Sequence, residues 1–310
     1  MLEIKDLSVR FSADSTVQAV QDVSLVLPDK GRIALVGETG SGKSVLLLAV
    51  MQLLPASAVV TGEVLLNGED ILKMNRKQLD KLRGAVISYV PQGGGASLNP
   101  LMRVGEQVGE PLVEHHGWQK KDSVEKSIEV MRSLNMGNEE ELAGSFPHTF
   151  SGGMRQRAMI AMGIIAGAKI LLADEPSKGL DEKRVSLVVD SFNRLTDESL
   201  LCVTHDLMFA SRISDHICVL YSAAQVEFAS TEEILSDPLH PYTRDMVKAI
   251  PENGMIVDNV GFAPSHDDFD KGGCRYRHRC KDCMDKCSKM PPLFSVGDRK
   301  VRCWLYENED

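Results

Sequence analysis

Ile33-Ala34-Leu35-Val36-Gly37-Glu38-Thr39-Gly40-Ser41-Gly42-Lys43-Ser44 decides the fold. A short, continuous apolar run stops at a glycine-rich loop closed by Lys and Ser, and Val45 to Leu54 then reads as a buried helix ended by Pro55. Strand, glycine loop with Lys-Ser, and helix in that order form a phosphate-binding loop. The glycines let the backbone curl so that its N–H groups and the helix N-terminus face an anion. Lys43 adds a point charge, and the Ser44 hydroxyl can ligate Mg2+. The expected phosphate-binding residues are therefore Gly37, Glu38, Thr39, Gly40, Ser41, Gly42, Lys43 and Ser44; a glycine-rich turn without ligand is the competing reading, and the flanking elements argue against it.

Outward from this loop, Leu2 to Val9 alternates apolar and polar residues as a half-buried strand does, and Val23 to Leu27 gives a second such segment. An antiparallel β portion is expected to lead the chain. Asn67-Gly68 predicts a tight turn between short strands, and Ile87 to Val90 a strand ending at Pro91. From Val104 to Leu142 the pattern is helical and polar, a helical insert. Buried strands return at Ile170 to Ala173, Leu200 to Val203 and Ile217 to Leu220, separated by helical stretches such as Glu182 to Leu195, so an α/β core with a mostly parallel sheet follows. Past Leu235, the Pro-rich Asp237-Pro238-Leu239-His240-Pro241 and the polar stretch from Pro264 to Lys271 mark a change of character. The expected division is a nucleotide-binding domain over 1–235, with its insert at about 96–155, and a small appended domain over 236–310.

Composition narrows the function. With 310 residues, 43% of them hydrophobic, the chain has enough apolar side chains for a sizeable core. Thirty-five Lys and Arg against 44 Asp and Glu leave a net charge of -9, which argues against a nucleic-acid backbone as the main partner. The opening Met1-Leu2-Glu3-Ile4-Lys5-Asp6 has no basic patch followed by an apolar stretch, so residence in the cytosol is expected. Ala158 to Ala173 is the most apolar window, yet Lys169 interrupts it and it falls short of the roughly 20 residues that cross a bilayer.

Ile170-Leu171-Leu172-Ala173 ends in Asp174-Glu175, and strand ends at the carboxyl edge of such a sheet are where ligands sit. Asp174 is expected to hold Mg2+, directly or through water, and Glu175 to polarise the water attacking the terminal phosphate. Phe150-Ser151-Gly152-Gly153-Met154-Arg155-Gln156-Arg157 opens another helix with N–H groups and a positive dipole end suited to an anion. This run resembles the signature motif of ABC-type ATPases. The resemblance implies a P-loop ABC-type nucleotide-binding domain with an antiparallel β portion, and a dimer in which Ser151, Gly152 and Gly153 cover ATP bound to the partner's phosphate loop. It also implies roles for Gln92 at Mg2+ and as a relay to a membrane partner, for the D-loop from Ser177 to Asp181, with Asp181 among the nucleotide-binding residues, and for His205 at the γ-phosphate and attacking water. Phe11 is the candidate aromatic for adenine. Two departures stand out: Lys178 in the D-loop and the run Gly93-Gly94-Gly95 after Gln92. Both bear on coupling to partners and remove no catalytic group.

Ser97-Leu98-Asn99-Pro100, the run from Ser151, and His240-Pro241-Tyr242-Thr243-Arg244 with Ala249-Ile250-Pro251 resemble the ATP-binding subunits of oligopeptide, dipeptide and nickel ABC importers. That resemblance implies an ATPase driving import, with peptides leading as cargo and nickel or a metal chelate next. It further implies two permease subunits, an extracytoplasmic solute-binding protein, and peripheral attachment at the cytoplasmic face of the inner membrane. Val45 after Lys43-Ser44 is more like one of the two unequal ATPases in such systems, so a heterodimer is expected. A soluble, non-transport ABC ATPase is the rival from another class, and the acidic balance argues against it.

Five of the seven cysteines crowd into the last stretch. Cys274, Cys280, Cys287 and Cys303, spaced by five, six and fifteen residues, resemble the cysteine pattern of that branch's C-terminal domain, where a [4Fe-4S] cluster is implied. Lys271 to Lys289 carries seven Lys or Arg against two Asp, a balance that would offset a thiolate-ligated cluster or form a solvated face. Cys283 is extra, and Cys280, Cys283 and Cys287 could join a Zn2+ site instead.

Overall fold

The computed structural model describes residues 1–12, 16–93, 97–195, 197–254 and 272–307. Gly94 and Gly95, the start of the insert at residue 96, and the stretch from Pro264 to Lys271 lie outside the described residues. In chain order the elements are β1 (Leu2–Ser12), β2 (Thr16–Leu27), β3 (Arg32–Val36), α1 (Lys43–Val50), β4 (Ala58–Leu66), β5 (Glu69–Asp70), α2 (Arg76–Leu82) and β6 (Ile87–Val90). There follow α3 (Val104–His116), α4 (Lys120–Ser133), α5 (Glu139–Ala143), α6 (Gly152–Ile164), β7 (Ile170–Asp174), α7 (Glu182–Asn193), β8 (Ser199–Thr204) and α8 (Leu207–Ile213). The chain closes with β9 (His216–Tyr221), β10 (Ala224–Ser230), α9 (Thr231–Ser236), α10 (Pro241–Lys248), β11 (Phe294–Val296) and β12 (Arg299–Val301). Two compact units result: Met1–Leu27, Ile33–Lys73 and His205–Asp310 make the first, and Pro28–Arg32 with Met74–Thr204 the second.

In the first unit a mixed sheet runs β5-β4-β1-β2-β10-β9-β3. β1 pairs antiparallel with β2 and β4, whereas β3 and β9 are parallel. Leu2, Ile4, Leu7 and Val9 are buried, and the alternation slips between Ile4 and Leu7 because Asp6 adopts a left-handed φ of 47° at a register shift. Across the pair Asp22 does the same, φ 47°. The helix after the phosphate loop stops at Val50, short of the expected Leu54: Gln52 turns to φ 48° and Leu53 is exposed. Asn67 and Gly68, at φ 50° and 88°, make the tight turn between β4 and β5 that their sequence predicts.

The tail is bound into this sheet. The β11–β12 hairpin adds β12 antiparallel to β10, with Glu227 opposite Val301 and Phe228 opposite Lys300. Glu227 is fully buried, and its carboxylate accepts the Leu239 N–H at 2.7 Å and the His240 N–H at 2.9 Å. Burial pushes its pKa above the ordinary carboxylate value, and the two backbone donors are part of what pulls it back. Arg302 donates to the carbonyls of Gln225, Pro291 and Asp22 at 2.8, 3.2 and 3.1 Å. Leu239, Val301, Cys303 and Tyr306 form a small core there.

The second unit carries the parallel strands β6, β7 and β8, with Val90 beside Ala173 and Asp174 beside Val203. Ile170, Leu171, Leu172 and Ala173 are all buried, as a parallel strand covered on both faces requires. α3 approaches both α5 and α4 closely because it presents glycines: a Cβ on Gly105 would meet Ala143 of α5 at 2.8 Å, and one on Gly109 the Ser123 carbonyl of α4 at 2.8 Å. Ser127 Oγ then donates to the Gly105 carbonyl at 2.9 Å.

Glu227→Ala leaves two buried N–H groups without their acceptor, a loss of about 1–3 kcal/mol for each. We expect a lowered thermal midpoint and proteolysis that attacks the tail before the rest of the chain. An unchanged midpoint and digestion pattern would contradict the anchoring role.

Candidate nucleotide site

The phosphate loop is shaped by what its glycines touch. Ile33 to Val36 are buried and lie parallel to His216 through Val219, which delivers Gly37 against the end of β9. A Cβ on Gly37 would sit 2.1 Å from the Leu220 carbonyl oxygen, and one on Gly42 1.9 Å from that of Ala19. Gly42 also needs φ 91°, and Gly40 φ 85°. Gly42 is the N-cap of α1, whose first turn has neither a side-chain cap nor an acidic residue, so its N–H groups and dipole end are matched to an anion. Lys43 is buried, and its ammonium donates to the carbonyls of Gly37 and Glu38 at 2.8 and 2.9 Å, which holds the positive charge inside the loop. Ser41 is also buried, and its N–H donates to the Glu38 carbonyl at 3.2 Å; Ser44 is half-buried, and Thr39 is exposed.

In the second unit Asp174 ends β7 with 2% of its surface exposed, and Tyr89, from the neighbouring β6, donates its hydroxyl to Asp174 Oδ2 at 3.1 Å. Burial and that carboxylate together push the tyrosine pKa up, so Tyr89 stays a neutral donor. Glu175 is buried as well, with a left-handed φ of 49° held by its N–H on the Val203 carbonyl at 2.8 Å. A non-glycine residue in that conformation turns the chain abruptly at the strand end. Gln92 lies two residues past Val90, on the same strand edge as Asp174, and is exposed. Ser151 caps α6, its Oγ accepting the Met154 N–H at 3.3 Å, with Gly152 and Gly153 in the first turn. Asp181 caps α7, accepting the Arg184 N–H at 3.0 Å and pairing with Arg184 Nε at 3.2 Å. Lys178 is exposed in the turn before it. His205 is the exposed residue immediately after β8. Phe11 is half-buried in β1, paired with Val17 and Ala58.

In the tail, Cys274, Cys280, Cys287 and Cys303 line one small pocket together with His240, Tyr276 and Trp304. Burial pushes the Cys274, Cys280 and Cys303 thiols up to about 11. Cys283 is exposed. Among the described residues no group of three or more His, Cys, Asp or Glu side chains is arranged to hold a metal ion.

The model of the ABC transporter family matches residues 20–178, and that of the oligopeptide/dipeptide transporter C-terminal region matches residues 226–287. An oligopeptide transport ATP-binding protein of Escherichia coli strain K12, OppD, is 36% identical over 97% of this chain and 92% of its own. The corresponding AppD of Bacillus subtilis strain 168 is 34% identical over 100% of this chain and 98% of its own. The chain belongs to the ABC transporter ATPases, in the oligopeptide/dipeptide branch. A dipeptide transport ATP-binding protein of Bacillus subtilis, DppD, is 33% identical over 99% of this ATPase. A solved ATP-binding cassette, dimeric in a post-hydrolysis state with ADP and Pi, matches 74% of this ABC ATPase and 99% of its own chain at a TM-score of 0.67 and 23% identity, a likeness of fold.

Three features of this ATPase escape a reading of its sequence. Tyr89 is visible only as one residue of a short strand, and its bond to Asp174 needs the β6–β7 register. The carbonyls of Ala19 and Leu220, which force glycine at 42 and 37, have no side-chain signal at all. Arg279 sits in a basic run, yet its Nη1 reaches Glu38 Oε1 of the phosphate loop at 3.0 Å. The Ala19 wall yields a direct expectation: Gly42→Ala, with a Cβ 1.9 Å from a carbonyl and φ 91°, should abolish binding of a fluorescent ATP analogue while circular dichroism stays native. Binding within about twofold of the parent protein would show that the loop tolerates the Cβ and that the steric reading is wrong.

Proposed function

We propose that the chain is the ATP-hydrolysing subunit of a peptide importer, acting with a second, homologous ATPase, two permease subunits and an extracytoplasmic solute-binding protein. The observation that carries this reading is the glycine-walled loop with its buried Lys43, on a chain whose relatives are named for oligopeptide and dipeptide transport across nearly their whole length. In this reading the loop from Gly37 to Ser44 binds the ATP phosphates. Ser44, Gln92 and Asp174 hold Mg2+, which supplies charge neutralisation. Glu175 polarises the attacking water, His205 meets the γ-phosphate, and Phe11 stacks on adenine. Ser151, Gly152 and Gly153 cover the nucleotide of the partner ATPase, and Asp181 belongs to the D-loop between the two chains. The relatives' names favour peptide over nickel as cargo. No helix among the described residues is long and apolar enough to cross a membrane; the placement at the inner face rests on the relatives' part in transport.

The same proposal divides the chain at residues 235 and 236, with the tail continuing the sheet through β12. Its four pocket cysteines are the residues to hold a [4Fe-4S] cluster. The cluster assignment rests on the resemblance of the cysteine spacing and on the four cysteines lining one pocket; among the described residues no group of three or more His, Cys, Asp or Glu side chains is arranged to hold a metal ion of either kind.

Glu175→Gln is expected to keep nucleotide bound while hydrolysis falls roughly 10²–10⁴-fold and peptide uptake stops. Normal phosphate release from the variant complex would remove Glu175 from its role. Complexes isolated anaerobically should contain iron and sulfide that disappear in Cys303→Ser; zinc in their place would reverse the cluster assignment.

A further inference from the structure

The phosphate loop carries one acidic side chain, Glu38, and an anion site gains nothing from a carboxylate of its own. The structure compensates it from the far end of the chain. Arg279 Nη1 lies 3.0 Å from Glu38 Oε1 and donates to the Tyr221 hydroxyl at 3.4 Å. Its guanidinium rests 5.5 Å from the centre of the Tyr276 ring and 5.9 Å from that of Tyr221. Tyr221, Tyr242 and Tyr276 pack on one another with centroids 4.5 to 5.5 Å apart, so the cation stands on a rigid aromatic platform. The Arg279 side chain is only 17% exposed, against 43% for Glu38.

The ion pair reaches the loop's interior through the backbone of the same residue. The Glu38 carbonyl accepts both the Lys43 ammonium, at 2.9 Å, and the Ser41 N–H, at 3.2 Å. Fixing Glu38 therefore fixes where Lys43 and Ser41 point. Tyr276 and Cys280, on either side of Arg279 in the chain, line the cysteine pocket, so the platform is shared with the tail's own core.

We propose that Arg279 is a positioning residue for ATP binding: through Glu38 it cancels the loop's only carboxylate and holds the loop in the shape that admits phosphate. As a partly exposed ion pair it contributes little to stability. Its effect falls on the ligand instead, because an uncancelled Glu38 would repel the polyphosphate. The proposal rests on the reading of the loop as the nucleotide site.

The test compares Arg279→Ala, Arg279→Lys, Glu38→Gln and the Arg279→Ala/Glu38→Gln double variant in the intact transporter complex, by fluorescent-nucleotide binding and steady-state hydrolysis. Arg279→Ala should raise the Kd and KM for Mg-ATP about three- to tenfold with little change in kcat, and Arg279→Lys should restore part of the loss. In the Glu38→Gln background the Arg279→Ala loss should vanish, because no carboxylate is left to cancel. Unchanged affinity in Arg279→Ala overturns the proposal. An equal loss in both backgrounds overturns it too, since Arg279 would then act through the tail and not through Glu38. A parent complex that binds no Mg-ATP would instead overturn the nucleotide reading itself.

Discussion

Two backbone carbonyls set the shape on which the phosphate site depends. Ala19 O and Leu220 O stand where a side chain at 42 or 37 would have to go, and only glycine lets the chain pass them. Ala19 belongs to β2 and Leu220 to β9, and β10 lies between those two strands. The antiparallel portion is thus part of the binding apparatus: β1, β2 and β4 hold one wall of the loop in place, and the β9–β10 pair holds the other. Lys43 completes the arrangement from inside by bonding the loop's own carbonyls.

The tail is tied to the same strands. Arg302 reaches the Asp22 carbonyl and Arg275 Nη2 reaches Gln21 Oε1 at 2.6 Å, both on β2, while Gln21 N–H meets the Ala223 carbonyl at 2.7 Å. Glu227 and β12 fasten the tail to β10. The tail is thus joined to the strands around the loop by short polar contacts, beside the ion pair from Arg279 to Glu38.

Local features were legible from the residues alone. The loop needed only glycine spacing and flanking apolar runs. Ile170 to Asp174 needed only a buried parallel strand ending in carboxylates, and Asn67-Gly68 only its turn chemistry. Bulged strands were harder, since Asp6 and Asp22 at positive φ break the alternation that a period-two reading relies on. Tertiary partners were not legible: Tyr89 and Asp174 are 85 residues apart, and Arg279 and Glu38 are 241 apart. The basic run around Cys274 to Cys287 reads as a general positive field, whereas Arg275 and Arg279 in fact each bond a specific side chain elsewhere in the chain. Cysteine order was visible, but that four of them share a pocket and Cys283 stays outside follows only from the fold.

Three helix N-termini near the proposed chemistry are finished differently, and the difference separates binding from scaffolding. α1 begins at Gly42 with no side-chain cap, so its donors are left to the loop and its ligand. α6 is capped by the Ser151 hydroxyl, which accepts Met154 N–H and still has an O–H proton to donate, so the cap and a phosphate contact are compatible. α7 is capped by the Asp181 carboxylate, an acceptor only, already engaged by Arg184. A carboxylate so placed suits the holding of the turn from Ser177 to Asp181. By this chemistry the Ser151 cap keeps a proton it can still donate to an anion, and the Asp181 cap fixes the start of α7.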